Sequence, residues 1–247
     1  MAVVAKPTQS AERRRKLGEG RSIGLSISHA WLMDQTLLYL INREWARPWL
    51  DGPMAVASSW ALWWPLLVIG IACVLIFGRF KGRAFILCCG LSILFVDAFT
   101  VNSLKKLVGR PRPHSIMPEI RQVDLARTHP RILAIGKPLS VSISTPSIRP
   151  VRGGSFPSGH AANNFAIATV MTVFFRRWGW LMYFPAVIVS YSRVYVGVHW
   201  PSDILISWFL SIGVTLLVLA GLSWLWRTQM GRFFPNFHQR HPELIPT

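Results

Sequence analysis

Residues Met54 to Phe77 carry no charged side chain. About twenty apolar residues in a row are enough for a helix to cross the hydrocarbon core of a bilayer. Such a run has two homes, a membrane or a large protein core, and its recurrence along the chain decides between them. Ala84 to Leu104, His160 to Phe175, Leu181 to Val198 and Ile204 to Trp226 repeat the pattern. Charged residues make up 15% of the chain, well below the roughly 25% of a soluble domain. The expected fold is therefore all-α, a polytopic membrane helical bundle of five to six spans. The sixth is Ile23 to Ile41, which His29, Asp34 and Gln35 interrupt. It either spans or lies in the interface, with Trp45 and Trp49 anchoring its far end.

Charge sets the orientation. Lys+Arg number 27 against 10 Asp+Glu, a net charge of +17. The basic residues sit in short blocks between apolar runs, not on a separate polar domain, which sets nucleic acid aside. Anionic lipid head groups and a phosphate-bearing substrate remain as partners. Arg79, Lys81 and Arg83 follow one span, Arg176 and Arg177 another, and a basic tail runs from Arg227. Positive residues favour the cytoplasmic side. The long loop 105–156, the start of the His160 run and the region around His199 then share the opposite, extracytoplasmic face. The chain divides into a basic, disordered tail (1–21), a membrane domain (22–226) and a basic cytoplasmic tail (227–247). The first twenty-one residues lack the apolar core of a cleaved signal peptide. Cys73, Cys88 and Cys89 lie in apolar runs and read as buried thiols, not a disulfide framework.

Three segments at span ends carry the chemistry: KKLVGRPRP (Lys105 to Pro113), SFPSGH (Ser155 to His160) and the stretch Ser192 to Asp203. In the third, Pro201 suits the first position of a helix, because its missing N–H has no partner there in any case. That places His199 just before the helix and Asp203 in its first turn, where the carboxylate can hold one ring nitrogen of His199 and leave the other outward. A surface histidine beside a helix-capping aspartate is the plainer alternative. Lys105, Arg112 and Arg193 supply three cations for the oxygens of one phosphate. Ser158 and Gly159 open a helix whose free N–H groups favour an anion. His199, braced by Asp203, can attack phosphorus, and His160 can protonate the leaving oxygen. Clustered cations repel one another unless an anion joins them. No metal-ligand spacing is present, and the arrangement calls for no cofactor. Asp97, inside a span, reads as a structural partner of a buried polar group.

Taken in order, Lys105 with Arg112-Pro113, then Pro157-Ser158-Gly159-His160, then Ser192-Arg193, His199 and Asp203 resemble the signature of the type-2 phosphatidic acid phosphatase superfamily. That superfamily shares its core with vanadium haloperoxidases and bacterial class A acid phosphatases. Arg110-Pro111 is out of register, since Ser103 stands where its lysine belongs. The resemblance implies a metal-independent site in which His199 forms a phosphohistidine, Asp203 orients it and His160 is the acid. Lys105, Arg112, Arg193, Ser158 and the Gly159 amide would hold the phosphate. It implies a lipid phosphatase of a bacterial inner membrane with its site on the periplasmic face. Undecaprenyl diphosphate is the first expectation for the substrate; phosphatidylglycerol phosphate, phosphatidic acid and the lipid A 1-phosphate are the others. The basic loop (Arg121, Arg127, Arg131, Lys137, Arg149, Arg152) either binds a second phosphate or sugar head group or is a solvated face drawn to anionic lipid. A haloperoxidase and a non-catalytic membrane protein are the rival classes.

Overall fold

The computed structural model describes residues 31–146 and 154–245. The N-terminal tail 1–21, the start of the 23–41 run, Arg149 and Arg152 lie outside them. The first helix, α1, covers residues 31–44, and its last turns widen over Leu40–Glu44. Next come α2 (Pro48–Ser58) and α3 (Trp60–Phe77). Helix α4 (Phe80–Ile93) continues through wide turns at Leu94–Val101 into α5 (Asn102–Val108). A short α6 (Pro113–Ile116) leads to a hairpin of β1 (Arg121–Asp124) and β2 (Ser140–Ile143). The bundle closes with α7 (Gly159–Phe174), α8 (Tyr183–Tyr195) and α9 (Pro201–Leu225). Proline opens α2, α6 and α9, where its fixed φ suits the first turn and no N–H is wasted.

The structure redraws two sequence expectations. The apolar run from Met54 is broken at Ser59, whose backbone is extended, so the long apolar helix starts at Trp60. The preceding α2 is a separate helix that buries Asp51, which accepts hydrogen bonds from Arg121 at 2.7 Å and the Tyr195 hydroxyl at 2.6 Å. The loop 105–156 is folded, with β1 and β2 antiparallel and Val123 paired with Val141. Alternation seats Val123 inward and leaves Asp124 outside, as a half-buried strand requires.

Among the described residues, three helical stretches are long and apolar enough to cross a membrane: Trp60–Phe77, Phe80–Ile116 and Pro201–Phe233. Helix α3 exposes nearly all of its side chains, including Cys73, which is not the buried thiol expected. Helices α7 and α8, at 16 and 13 residues, are shorter. Helix α7 is central and packs on α4, α8 and α9. Its buried Ala161, Ala162, Ala166 and Ala168 let neighbouring backbones approach closely. At one end of the bundle the basic turns meet. Lys81 lies over the Phe175 ring at 5.2 Å, and His241 of the C-terminal segment stacks on Phe80 at 4.0 Å. The C-terminal tail is thus packed against α4, and Leu244 is buried there.

At the other end, a turn joins α8 to α9. Asn42 of α1 clasps it, donating to the carbonyls of Tyr195 (2.6 Å) and Arg121 (2.8 Å) and accepting from the Arg121 N–H. Gly197 in that turn has φ +73, and a Cβ there would meet Ile120 Cγ2 at 2.5 Å and the Arg121 carbonyl at 2.8 Å. Left-handed backbone and a blocked Cβ both exclude a side chain. Gly197→Ala is expected to destabilise the protein by about 2 kcal/mol or more, read as a lowered Tm in detergent.

Candidate active site

The start of α9 forms as its sequence dictates. Trp200 precedes the helix, Pro201 opens it, and the Asp203 carboxylate accepts the Trp200 N–H at 3.0 Å. That bond fixes one carboxylate oxygen, Oδ2, beside the imidazole, 3.6 Å from His199 Nδ1. Ser155 Oγ donates to the same Oδ2 and lies 3.4 Å from Nδ1. The ring nitrogen facing Asp203 and Ser155 is therefore Nδ1, and Nε2 is turned away from them. His199 and Asp203 are both buried.

Burial pushes the His199 ring down to about 4, and the Arg193 and Arg112 charges press the same way against the pull of Asp203. The sign favours nucleophilic attack. A ring with a lowered pKa is neutral from about pH 4 upward, so its lone pair is free at neutral pH, and protonation removes it only below that range. Histidine NMR in detergent should give a His199 titration midpoint near 4, not the free-histidine 6.5.

The phosphate-binding candidates come from three elements. Lys105 lies on α5, Arg112 just before α6, and Arg193 on the last turn of α8. Ser158 and Gly159 begin α7, with His160 in its first turn. Arg193, Arg112, Lys105 and His199 all lie within electrostatic reach of His160, so the structure brings the predicted set together. Among the described residues, none of the three cations is in an ion pair. The Arg112 and Asp97 charges both act on the Lys105 ammonium. Arg193 is steadied through one nitrogen by the Ser58 carbonyl at 3.1 Å and the Ser58 hydroxyl. Arg112 Nε, Arg193 Nε and Ser158 Oγ are buried without a hydrogen-bond partner among the described residues. Buried donors normally find partners, and these three are open to an acceptor. The Ser158 N–H is already satisfied by Ser207 Oγ at 2.9 Å. Gly159 is small for a reason: a Cβ would lie 3.2 Å from Asp97 Oδ1 and 4.0 Å from the Lys105 ammonium. Asp97 thus serves as the charged neighbour of Lys105.

Three participants escaped the sequence reading. Ser155 had no assigned role. Arg110, out of register as a phosphate ligand, bonds Asp203 Oδ1 at 2.6 Å. Asp34 of α1 reaches the same cluster, accepting from Arg110 at 2.5 Å and from the Ser202 N–H at 2.9 Å. The interruption of the first apolar run by an acid was the one available signal for Asp34.

Comparison with known proteins gives this geometry its family. The model of the PAP2 superfamily matches residues 85–227. The chain belongs to the PAP2 superfamily. A lipid A 4'-phosphatase of Bacteroides thetaiotaomicron is 30% identical over 178 residues, 70% of this chain and 69% of that protein. An undecaprenyl-diphosphatase of Sulfolobus acidocaldarius is 44% identical over 64 residues, 26% of this chain. The chain spans only 31% of the length of that relative. Among solved structures, Aquifex aeolicus LpxE aligns with a TM-score of 0.50 and 25% identity, over 75% of this chain and 94% of that one. A PAP2-type phosphatidylglycerolphosphate phosphatase of Bacillus subtilis has the same fold, with a TM-score of 0.50 at 21% identity, over 81% of this chain and 90% of that one. PAP2 membership and the long apolar helices make the chain an integral membrane protein.

Proposed function

We propose that the chain hydrolyses a lipid phosphate at the extracytoplasmic face of the inner membrane, without metal, through a phosphohistidine on His199. The observation that carries this is the set of unpartnered buried donors, Arg112 Nε, Arg193 Nε and Ser158 Oγ, gathered beside a neutral histidine whose Nδ1 faces a carboxylate. In the first step His160, which takes up a proton as the phosphate anion enters among the cations, delivers that proton to the lipid oxygen while His199 Nε2 attacks phosphorus and the bond from phosphorus to that oxygen breaks. In the second, water gives a proton to His160 and attacks phosphorus, releasing phosphate and restoring His199. Lys105, Arg112, Arg193 and the Gly159 amide hold the charge that builds on the phosphoryl oxygens. The orientation rests on the basic turns, which gather at the end of the bundle away from His199.

For the substrate, one feature beside the site is selective. A cavity of about 350 Å³ has Arg193 in its wall, and Ser58, Gln122, Asp124, Ser140 and Ser142 supply hydroxyls, an amide and a carboxylate. That lining suits a phosphate borne on a sugar, as in lipid A. The likeness to a lipid A 4'-phosphatase over 70% of the chain points the same way. Undecaprenyl diphosphate is the second reading, favoured by the 44% identity to an undecaprenyl-diphosphatase over 64 residues.

The test is phosphate release by purified protein in detergent and EDTA from lipid A, undecaprenyl diphosphate, phosphatidylglycerol phosphate and phosphatidic acid. Preference for lipid A, insensitive to EDTA, supports the first reading, and preference for undecaprenyl diphosphate supports the second. A strict metal requirement overturns the mechanism, and no release from any of the four overturns the phosphatase assignment.

A further inference from the structure

Arg110 and Asp34 form a second layer behind the catalytic pair. One Arg110 nitrogen donates to Asp203 Oδ1 at 2.6 Å and to Ser202 Oγ at 2.8 Å. The other donates to Asp34 Oδ2 at 2.5 Å. Asp34 Oδ1 accepts the Ser202 N–H at 2.9 Å, and Oδ2 also accepts the Ser202 hydroxyl at 2.6 Å. Asp34 therefore serves as a capping group for the start of α9 from a different helix, satisfying an N–H that a helix start leaves free. The Asp34 and Asp203 side chains are 5% and 0% exposed, and Arg110 is 19% exposed. The Arg110 guanidinium also lies 5.5 Å from the Trp31 ring and 5.1 Å from the Trp200 ring. The indoles add cation–π attraction and thin the water around the charges.

We infer that Arg110, fixed by Asp34, is a positioning residue for the reaction: it clamps Asp203 through Oδ1 so that Oδ2 stays aimed at His199. Two consequences follow from the geometry. The Trp200 N–H and the Ser155 hydroxyl hold Oδ2, and the single Arg110 bond to Oδ1 holds the other oxygen, so that rotation of the carboxylate is opposed at both ends. The charge count also matters. Two carboxylates on one guanidinium leave one negative charge over, and the positive ring of a phosphohistidine at His199 neutralises it. The layer thus favours the charged intermediate over the resting enzyme, which is the difference that raises rate. Asp34 lies outside the residues matched by the family model, 85–227, so on this reading the working site of this chain extends into α1.

The inference rests on the phosphohistidine reading, and a double-mutant cycle keeps the two separable. Arg110→Gln is expected to lower kcat about 10- to 100-fold while KM stays within about threefold, because no phosphate ligand is touched. Asp34→Asn should lower kcat in the same sense but less. Arg110→Gln added to Asp203→Asn should cost almost nothing further, since both remove one interaction. A merely structural Arg110 would instead lower the Tm and add its full effect to that of Asp203→Asn. Undiminished kcat in Arg110→Gln, full additivity, or a loss confined to KM overturns the inference. A wild type that releases no phosphate from any lipid overturns the functional reading instead. In that event the inference is judged on the ¹⁵N signals of the His199 ring. The clamp predicts one Nδ1–H tautomer in wild type and a mixture in Arg110→Gln, and identical spectra overturn it. Should Arg110→Gln fail to fold, Asp34→Asn, which keeps the size of the side chain but loses the charge and one of the two acceptor oxygens, takes its place in both measurements.

Discussion

His199→Ala is expected to reduce kcat by roughly four orders of magnitude or more, while the protein folds normally and still binds inorganic phosphate. The reason is a separation of labour in the site. The groups proposed to hold phosphate stand on α5, before α6, on α8 and at the start of α7, and none depends on the imidazole for its place. The nucleophile alone has no substitute, because no second neutral nitrogen with a carboxylate behind it is present among the described residues. Phosphate release and phosphate binding, measured on the same preparation, check the claim. Near-normal turnover would move the nucleophile elsewhere, and loss of binding together with turnover would mean the ring also holds the loop in shape. In wild type, acid-quenching the reaction on a ³²P-labelled lipid should trap label on protein, and the variant should trap none.

Asp203→Asn is expected to cost about 10³- to 10⁴-fold in kcat, by the same reasoning that applies to the acid of hydrolase triads. The amide keeps the size of the side chain but loses the charge that balances a positive His199. It also leaves Arg110 with Asp34 as its one carboxylate partner. Because Asp203 caps α9 through the Trp200 N–H at 3.0 Å, some loss of stability accompanies the loss of rate. The two are distinguished by comparing Tm with kcat. A variant that keeps most of its Tm and loses its rate supports the orienting role, and one that keeps its rate removes Asp203 from catalysis.

Much of this site's layout is legible in the sequence. Pro201 fixed the start of α9, and that alone placed His199 and Asp203 one turn apart. The spacing of Lys105 and Arg112 and the Pro157-Ser158-Gly159-His160 run carried the rest of the first layer. Asp34 and the second role of Arg110 were not legible, because the bonds join residues 76 and 93 positions apart and such pairings leave no local pattern. An acid that interrupts an apolar run signals function only in general terms, so Asp34 could be noticed but not placed. The hairpin escaped for a different reason: each strand is four residues long, too short for alternation to stand out in a loop. The break at Ser59 was hidden because apolar residues continue on both sides of it. Only the pair Ser58-Ser59 marks the place where α2 ends and α3 begins, and no charge changes there.

The unpartnered Arg112, Arg193 and Ser158 donors have a practical side. On the proposed reading, a pocket with its cations already assembled takes up the product phosphate as well as the substrate, and phosphate buffer is then not inert towards this protein. Purified in phosphate, it should melt higher than in a sulfonate buffer, by an amount that grows with the logarithm of phosphate concentration, about 2.7 kcal/mol of extra stability at a hundred times the dissociation constant. The same preparation should look sluggish until the phosphate is dialysed away.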